Sequence, residues 1–253
     1  MFFHERWPVF YEDNHLLVLY KPAGLIMQRD HRNKANLLDL AKLWIKQRYA
    51  KPGNVFAGMV HRLDGPVAGI VVVARTSKAA ARLSDQFRRG CIEKQYLAVI
   101  AGRPPKDADR LENFMLRYGR LSQIAAQESP GAQKAVLHYQ LQANIKNMSL
   151  LAVTLETGRR HQIRLQLSNL GCPIVGDVNY GAPEAMAHGR IALLAHRLSF
   201  VHPTRPTRLQ FETPVPQGWP WPGEADGNVE NRPLWTIEEY GQSGLVLPSL
   251  QPD

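Results

Sequence analysis

Apolar residues recur along the chain at two spacings, one predicting strands and the other helices. Residues 70–74 form an uninterrupted apolar run rich in β-branched side chains, which is typical of a strand buried on both faces. Residues 137–143 alternate apolar and polar side chains, as expected of a strand with one buried face. Residues 37–49 and 77–89 instead gather their apolar side chains on one side of a helix, and we therefore predict two amphipathic helices.

Capping residues and shorter apolar runs extend this assignment. Asn36 precedes the first helix as an N-cap, and Gly90 ends the second. A short third helix is predicted over residues 161–169, with Gly171 at its C-terminal end. Further strands are predicted over residues 15–20, 94–101, 150–156, 192–200 and 208–212. Hairpin-linked strands with few helices between them favour an α+β fold on a largely antiparallel sheet.

Charge separates the chain into a basic body and an acidic extension. The sequence has 31 Lys and Arg against 22 Asp and Glu, a net charge of +9. From residue 217 onward six acids accompany one base, a net of −5, which leaves +14 for residues 1–216. We predict a body domain over 1–216 and an extension over 217–253, docked on the body by Trp235, Tyr240 and residues 245–247. The basic body favours a polyanionic partner, although many soluble enzymes are merely basic.

Several function classes are disfavoured by what the sequence lacks. Two cysteines cannot form a disulfide framework and fit a reducing, cytoplasmic compartment. Early charges and the lack of a long apolar core in residues 1–7 lead us to expect no signal peptide, and no apolar run approaches the ~20 residues of a membrane helix. Neither metal-ligand spacing nor a GxxxxGK[ST] or GxGxxG loop is present, so we expect no metal and no nucleotide cofactor. We expect a monomer.

A polar cluster, His61-Arg62-Leu63-Asp64, lies just before the predicted buried strand. An ionisable Asp on a loop held by a rigid strand is in the kind of place that catalytic groups occupy. The alternative is a turn-forming Asp or a surface ion pair, and on these four residues alone that alternative is the better interpretation.

Motifs elsewhere in the chain change this balance. The sequence has HRLD at 61–64, TGRRHQIR at 157–164 and GCPIVGDVNYG at 171–181, with KPAG at 21–24 and KQY at 94–96. In their order along the chain, over residues 10 to 215, these motifs resemble those of the RluA family of RNA pseudouridine synthases. Val67-Ala68 stands where most relatives have Thr-Ser, so two hydroxyls near the Asp are missing. Small RNA-binding domains often precede this fold in relatives, and because the first strand is predicted from residue 15 we expect none here.

The resemblance implies a fold, a reaction and a set of site residues. It implies the pseudouridine synthase fold, with one mixed sheet split by a cleft where RNA enters, and a reaction that needs no cofactor. It assigns the catalytic carboxylate to Asp64, the cation paired with it to Arg164, and an aromatic ring against the uracil to Tyr96. Without the resemblance, Tyr96 would be interpreted as an ordinary strand aromatic. RNA contacts are expected from Arg62, His61, Lys21, Arg159, Arg160 and His161.

Some alternatives remain open at this stage. His61 and Lys21 are in positions where such residues are more often structural. A catalytically inactive RNA-binding or ribosome-assembly factor could have the same fold, but Asp64 and Arg164 are both retained. An unrelated Asp/His hydrolase would need a further acid, a nucleophile or a metal cluster. Ribosomal and transfer RNA are both compatible with the resemblance, and Asp64 could act as a nucleophile or as a base.

Overall fold

The computed structural model describes residues 9–29, 35–221 and 232–242, and eleven strands in that part of the chain form one sheet. The strands are β1 Val9–Glu12, β2 Leu16–Lys21, β3 Gly58–Met59, β4 Ala68–Ala74, β5 Glu93–Ala101, β6 Ala108–Tyr118, β7 Leu121–Ala125, β8 Gln133–Ile145, β9 Met148–Leu155, β10 Leu193–Val201 and β11 Arg208–Glu212. Their order across the sheet is β1-β2-β4-β10-β5-β9-β8-β6-β7. β3 pairs with β4, and β11 pairs with β10.

The sheet is mixed and mostly antiparallel, which confirms the predicted α+β class. Among the described strands, β4 and β10 form the one parallel pair, through Leu194 opposite Ala68 and Ala195 opposite Gly69. The approach is close: a Cβ added to Gly69 would lie 2.3 Å from the Ala195 carbonyl oxygen. Gly69 also has φ +132°, a backbone conformation that side-chain-bearing residues rarely adopt. This parallel pair lies at the head of the cleft described below.

Four α-helices flank the sheet in the described part of the chain. They are α1 Leu37–Arg48, α2 Ser77–Arg88, α3 Gln162–Asn169 and α4 Ile237–Gln242. Asn36 caps α1 by accepting a hydrogen bond from the Asp39 amide, and Thr76 caps α2 in the same way. α3 begins at residue 162 rather than 161, because His161 has left-handed backbone angles, φ 56° and ψ 23°.

The central strands divide their side chains between two apolar clusters, one on each face of the sheet. Leu17 and Leu19 of β2 belong to the larger cluster, whereas Leu16 and Val18 belong to the smaller one. β4 divides its side chains in the same alternating way, and each of its seven residues is buried. The apolar run therefore forms a strand covered on both faces, as predicted.

The described part of the C-terminal extension packs against the body. Trp235 is fully buried and meets Trp219 edge to face, with ring centroids 4.7 Å apart. Tyr240 is also fully buried, and Glu239 pairs with Arg190. Residues 222–231 and 243–253, with four of the six acids and the predicted anchors at 245–247, lie outside the described residues, as do residues 1–8. The domain boundary at 216 stays a prediction.

Four strands were absent from the sequence prediction, namely β1, β3, β6 and β7. β6 and β7 form a hairpin at the edge of the sheet, and β6 pairs along its length with β8. Ala143, predicted to face inward, is exposed because β8 shifts register between Leu141 and Ala143. In the described ranges, no helix is both long and apolar enough to cross a membrane.

Candidate active site

A cleft of 920 Å³ opens between the turn before β4, the end of α2 and the segment that leads into α3. Seven basic residues line it: Arg62, Arg88, Arg89, Lys94, Arg159, Arg160 and Arg164. Asp64 and Glu156 are the acidic residues among its lining. Such a surplus of positive charge concentrates a polyanion at the cleft and orients it.

Asp64 lies on a tight turn between β3 and β4. The Val67 amide donates a hydrogen bond to the Asp64 carbonyl oxygen at 3.0 Å, which closes the turn. Its side chain is 21% exposed, so the carboxylate reaches the cleft while its backbone is held. The turn is fixed at its next residue, because the Gly65 carbonyl oxygen accepts hydrogen bonds from the Gly24 amide at 2.8 Å and the Lys21 ammonium at 3.2 Å.

Arg164 contacts two carboxylates, and Asp177 is the nearer one. Its Nε and Nη2 atoms donate to the two Asp177 oxygens at 2.7 and 2.8 Å, a bidentate pair buried on both sides. Its Nη1 atom lies 3.4 Å from Asp64 Oδ2. Burial acts to lower the pKa of Arg164, but its bonds to Asp177 and the nearby carboxylate charges raise that pKa overall. A permanent positive charge is thus held beside Asp64 in one orientation.

His161 also lies against Asp64, and its other ring nitrogen contacts Tyr180. The Tyr180 hydroxyl oxygen accepts a hydrogen bond from the Ser122 amide at 2.8 Å and lies 2.8 Å from His161 Nδ1. His161 Nε2 lies 3.6 Å from Asp64 Oδ2 and 3.5 Å from Arg160 Nε. Burial lowers the pKa of His161, which favours the neutral imidazole.

Tyr96 lies on β5 and lines the cleft opposite the Asp64 turn. It pairs with Ala195 of β10 and Val153 of β9, so the sheet fixes its position. Burial, together with the Asp64 charge, raises the pKa of Tyr96 well above its usual range. Its phenol therefore remains protonated near neutral pH and can donate a hydrogen bond into the cleft.

The predicted RNA-contacting arginines are all exposed on the cleft. Arg62 extends from the Asp64 turn, whereas Arg159 and Arg160 precede α3. Arg159 Nε donates to the Lys134 carbonyl oxygen at 2.9 Å, and Arg160 Nη2 donates to that of Arg120 at 2.6 Å. These two guanidinium groups are thereby oriented along the wall, with other N–H groups left to face a polyanion.

Lys21 and His61 are placed differently from the prediction. Lys21 is fully buried, and its ammonium donates to the carbonyl oxygens of Pro22, Leu25 and Gly65, which uses all three donors and corrects the prediction of an RNA contact. Burial lowers the pKa of Lys21 to about 7, against the opposing charge of Asp64.

His61 lines the cleft, but its ring nitrogen forms a hydrogen bond with the backbone of β4. Its Nε2 atom accepts a hydrogen bond from the Val72 amide at 3.0 Å, and its ring stacks on Phe87 at 4.8 Å. Burial, with a smaller contribution from Lys94, lowers the pKa of His61 to about 3. A neutral imidazole whose acceptor nitrogen is already occupied has a structural role, which is one of the two alternatives that the sequence leaves open for His61.

Two residues of the site were missed by the sequence analysis, Asp177 and Tyr180. Both belong to the GCPIVGDVNYG stretch, which was used as a family motif without a role for its members. The Tyr180 ring also lies beneath Arg164, with the guanidinium carbon 4.9 Å from the ring centroid. The sequence does contain a signal for Asp177: it is a second acidic residue within a family motif. It could have been proposed as a further partner of Arg164 beside Asp64.

Taken together, the fold and the basic cleft are those of an enzyme that acts on a polyanionic substrate. The model of the RNA pseudouridylate synthase family matches residues 15–169, more than half of the chain. The chain therefore belongs to the RNA pseudouridylate synthase family, whose members are isomerases. Within the described ranges no three His, Cys, Asp or Glu side chains are grouped as metal ligands.

Named relatives support the same membership. Ribosomal large subunit pseudouridine synthase D of Zymomonas mobilis is 34% identical over 220 residues, 83% of this chain and 69% of that protein. The uncharacterized RNA pseudouridine synthase YjbO of Bacillus subtilis is 33% identical over 211 residues, 83% of this chain and 72% of that protein. The chain spans about two thirds of the length of the curated relatives it matches.

Solved structures share the fold. Human RNA pseudouridylate synthase domain containing 4 superposes with a TM-score of 0.70 at 23% identity, over 83% of this chain and 88% of that one. Human RNA pseudouridylate synthase domain containing 1 gives 0.63 at 22% identity, over 98% of both chains. The architecture of the pseudouridine synthase fold, predicted from the motifs, is thereby confirmed.

Proposed function

We propose that this chain isomerises a uridine of large-subunit ribosomal RNA to pseudouridine, with Asp64 as the catalytic carboxylate. One observation carries the proposal: Asp64 lies in a basic cleft beside Arg164, which is itself held by Asp177. The choice of ribosomal RNA rests on the names of relatives such as the synthase D of Zymomonas mobilis.

The proposed reaction exchanges one bond of the nucleoside for another. The N1–C1′ bond breaks, the freed uracil turns, C5 bonds to C1′, and the C5 proton is lost as N1 gains one, so that no atom is added or removed. A uridine in folded RNA must first leave its stack to reach the cleft. Asp64 then acts on the ribose, as a nucleophile or by removing a sugar proton, and both routes use the carboxylate that faces Arg164.

The remaining cleft residues have supporting roles in this proposal. Tyr96 lies against the uracil face, with its hydroxyl near the ring. Arg62 enters the space that the flipped base vacates, since it lies two residues before Asp64 and lines the same cleft. Arg159 and Arg160 hold phosphates on the other wall. His161 lies beside Asp64 in the cleft and helps to position it, a change from the RNA contact expected from the sequence.

Mapping pseudouridine in cellular RNA tests the substrate. A strain that lacks this gene should lose pseudouridine at a defined uridine of large-subunit ribosomal RNA, and a plasmid copy of the wild-type gene should restore it. Loss of a transfer RNA site would transfer the proposal to that substrate. An unchanged map, together with defective ribosome assembly, would favour the inactive assembly factor on the same fold.

A further inference from the structure

The turn that carries Asp64, residues 64–67, depends on two neighbouring segments for its position; we call it the catalytic turn. On one side, the Gly65 carbonyl oxygen accepts from the Gly24 amide at 2.8 Å and from Lys21 Nζ at 3.2 Å. On the other side, the Pro66 carbonyl oxygen accepts from the Ile191 amide at 3.3 Å. A displacement of either segment therefore moves the carboxylate relative to Arg164.

Both of these segments are bound by residues 232–242, which we call the C-terminal brace. The Ala23 amide donates to the Trp235 carbonyl oxygen at 3.0 Å, and the Ile237 amide donates to the Ala23 carbonyl oxygen at 3.0 Å. Arg190, adjacent to Ile191, pairs with Glu239 at 3.1 Å and lies over the Trp235 ring at 5.5 Å. One short segment thus contacts both supports of the catalytic turn.

The brace is ordered by its own contacts. Thr236 and Glu239 form a reciprocal cap, in which the Thr236 amide donates to Glu239 Oε2 at 2.6 Å and the Glu239 amide donates to Thr236 Oγ1 at 3.2 Å. Trp235 is fully buried against Trp219, and the Tyr240 hydroxyl accepts from the Leu234 amide at 3.2 Å. A segment fixed in this way can transmit its position to Ala23 and Arg190.

We propose that the C-terminal brace is a positioning element for catalysis, which holds the catalytic turn at the distance from Arg164 that turnover requires. This inference rests on the proposed role of Asp64. Loosening the brace should lower kcat and leave RNA affinity nearly unchanged, because Arg159 and Arg160 of the cleft wall are held by the carbonyl oxygens of Lys134 and Arg120, away from the brace. A brace that only adds buried surface would change stability without this separation of kcat from affinity.

A matched pair of charge reversals separates these two outcomes. Glu239→Lys places a second cation against Arg190, whereas Glu238→Lys makes the same change of net charge at the neighbouring exposed position of α4. The electrostatic effect on RNA binding is therefore common to both variants. We expect kcat of Glu239→Lys to be at least fivefold below that of Glu238→Lys, with RNA Kd values within twofold of each other. Equal kcat values for the two variants would overturn the proposal.

A second pair of variants removes buried aromatics. Trp235→Ala should lower kcat per folded molecule, whereas Phe200→Ala, in the apolar cluster on the other sheet face, should lower stability and leave kcat per folded molecule within twofold. Hydrogen exchange of the Gly24 and Ile191 amides should accelerate in Glu239→Lys and not in Glu238→Lys, whatever the RNA substrate proves to be. Unchanged exchange would refute the positioning role of the brace. Inactivity of the wild-type enzyme on ribosomal RNA would refute the proposed function instead, and the exchange test does not depend on that activity.

Discussion

Among the individual residues, Arg164 defines the site because it is shared unequally between two carboxylates. Its bidentate pair with the buried Asp177 fixes the plane of the guanidinium, and the remaining Nη1 atom faces Asp64. Asp177 is 1% exposed, whereas Asp64 is 21% exposed. Asp177 therefore orients Arg164, whereas Asp64 remains accessible to a substrate.

Replacing Asp177 tests this division of roles. Asp177→Asn leaves the Arg164 charge buried without its main partner, which should lower the free energy of unfolding by about 3 kcal/mol. Asp64→Asn is the matched control, and its partly exposed side chain should change stability by less than about 1 kcal/mol. Urea unfolding of both variants measures the difference. Equal destabilisation by the two substitutions would show that Asp177 contributes no more to the stability of buried Arg164 than Asp64 does.

His61 should make stability depend on pH. Its pKa is about 3 in the fold, so between pH 6.5 and pH 3 the unfolded chain binds a proton at this residue and the folded chain does not. Stability must therefore fall as the pH falls below 6.5. Between pH 7 and pH 5 this residue should remove about 2 kcal/mol.

The control for this prediction is His61→Gln, whose amide oxygen can accept the same hydrogen bond from the Val72 amide without titrating. Urea unfolding at pH 7 and pH 5 should show the wild type losing about 2 kcal/mol more than the variant. The same pH dependence in both proteins would remove His61 as its source.

The motifs predicted Asp64, Arg164, Tyr96 and the three cleft arginines as site residues, but the environment of each residue was beyond the sequence. Lys21 precedes a proline at the end of a strand, and nothing local shows that three carbonyl oxygens surround its ammonium. Burial depends on segments distant in sequence, such as Gly65 for Lys21 and Phe87 for His61. Residue type and motif therefore predicted candidates, and only the fold separated structural groups from cleft-facing ones.

Among the elements, the parallel pair of β4 and β10 restricts residue choice most strongly, because it requires glycine at position 69. Gly69→Ala would place a Cβ 2.3 Å from the Ala195 carbonyl oxygen, at a φ of +132°. We expect a loss of about 3 kcal/mol or more in the free energy of unfolding. Gly102→Ala, at φ +82° with open space around it, should cost about 1 kcal/mol. Thermal or urea unfolding showing equal costs would contradict the close approach.

Elements with one consistent period were predicted well, and β6 shows why others were missed. α1, α2, β4 and β11 were placed within two residues of their bounds. β6 turns Leu111, Asn113 and Met115 toward the protein, but Asn113 breaks the apolar alternation. It does so because its side-chain oxygen accepts a hydrogen bond from Gln166 Nε2 at 2.8 Å. A polar pair across two elements leaves no periodic signal in either sequence.

For the whole molecule, the central feature is convergence of distant segments on one basic cleft. Asp64 precedes β4, Tyr96 lies on β5 and Arg164 lies on α3, and all three line one cleft although β10 lies between β4 and β5. Hairpin spacing predicts which neighbours in sequence pair, but it does not predict this insertion of a late strand between two early ones. The sheet order therefore came from the structure, and the grouping of the three residues was expected only from the family resemblance.

Cleft charge predicts how RNA affinity depends on salt. The logarithm of the affinity should fall linearly with the logarithm of the salt concentration, by about 0.7 per phosphate neutralised on single-stranded RNA. Arg62→Gln should reduce this slope by about 0.7, because Arg62 lines the cleft. Arg103→Gln, an equal charge change at an exposed site outside the cleft lining, should leave the slope unchanged. Equal slopes for both variants would argue against a phosphate contact by Arg62.

The most direct test of the central claim is single-turnover pseudouridine formation by purified wild-type and Asp64→Asn proteins on the ribosomal RNA identified by mapping. Both proteins should bind the RNA with the same Kd, because the substitution leaves the basic walls intact. Wild type should convert the target uridine, whereas Asp64→Asn should form no detectable pseudouridine at saturating enzyme. Conversion by Asp64→Asn at a rate comparable to wild type would show that this carboxylate does not carry the reaction.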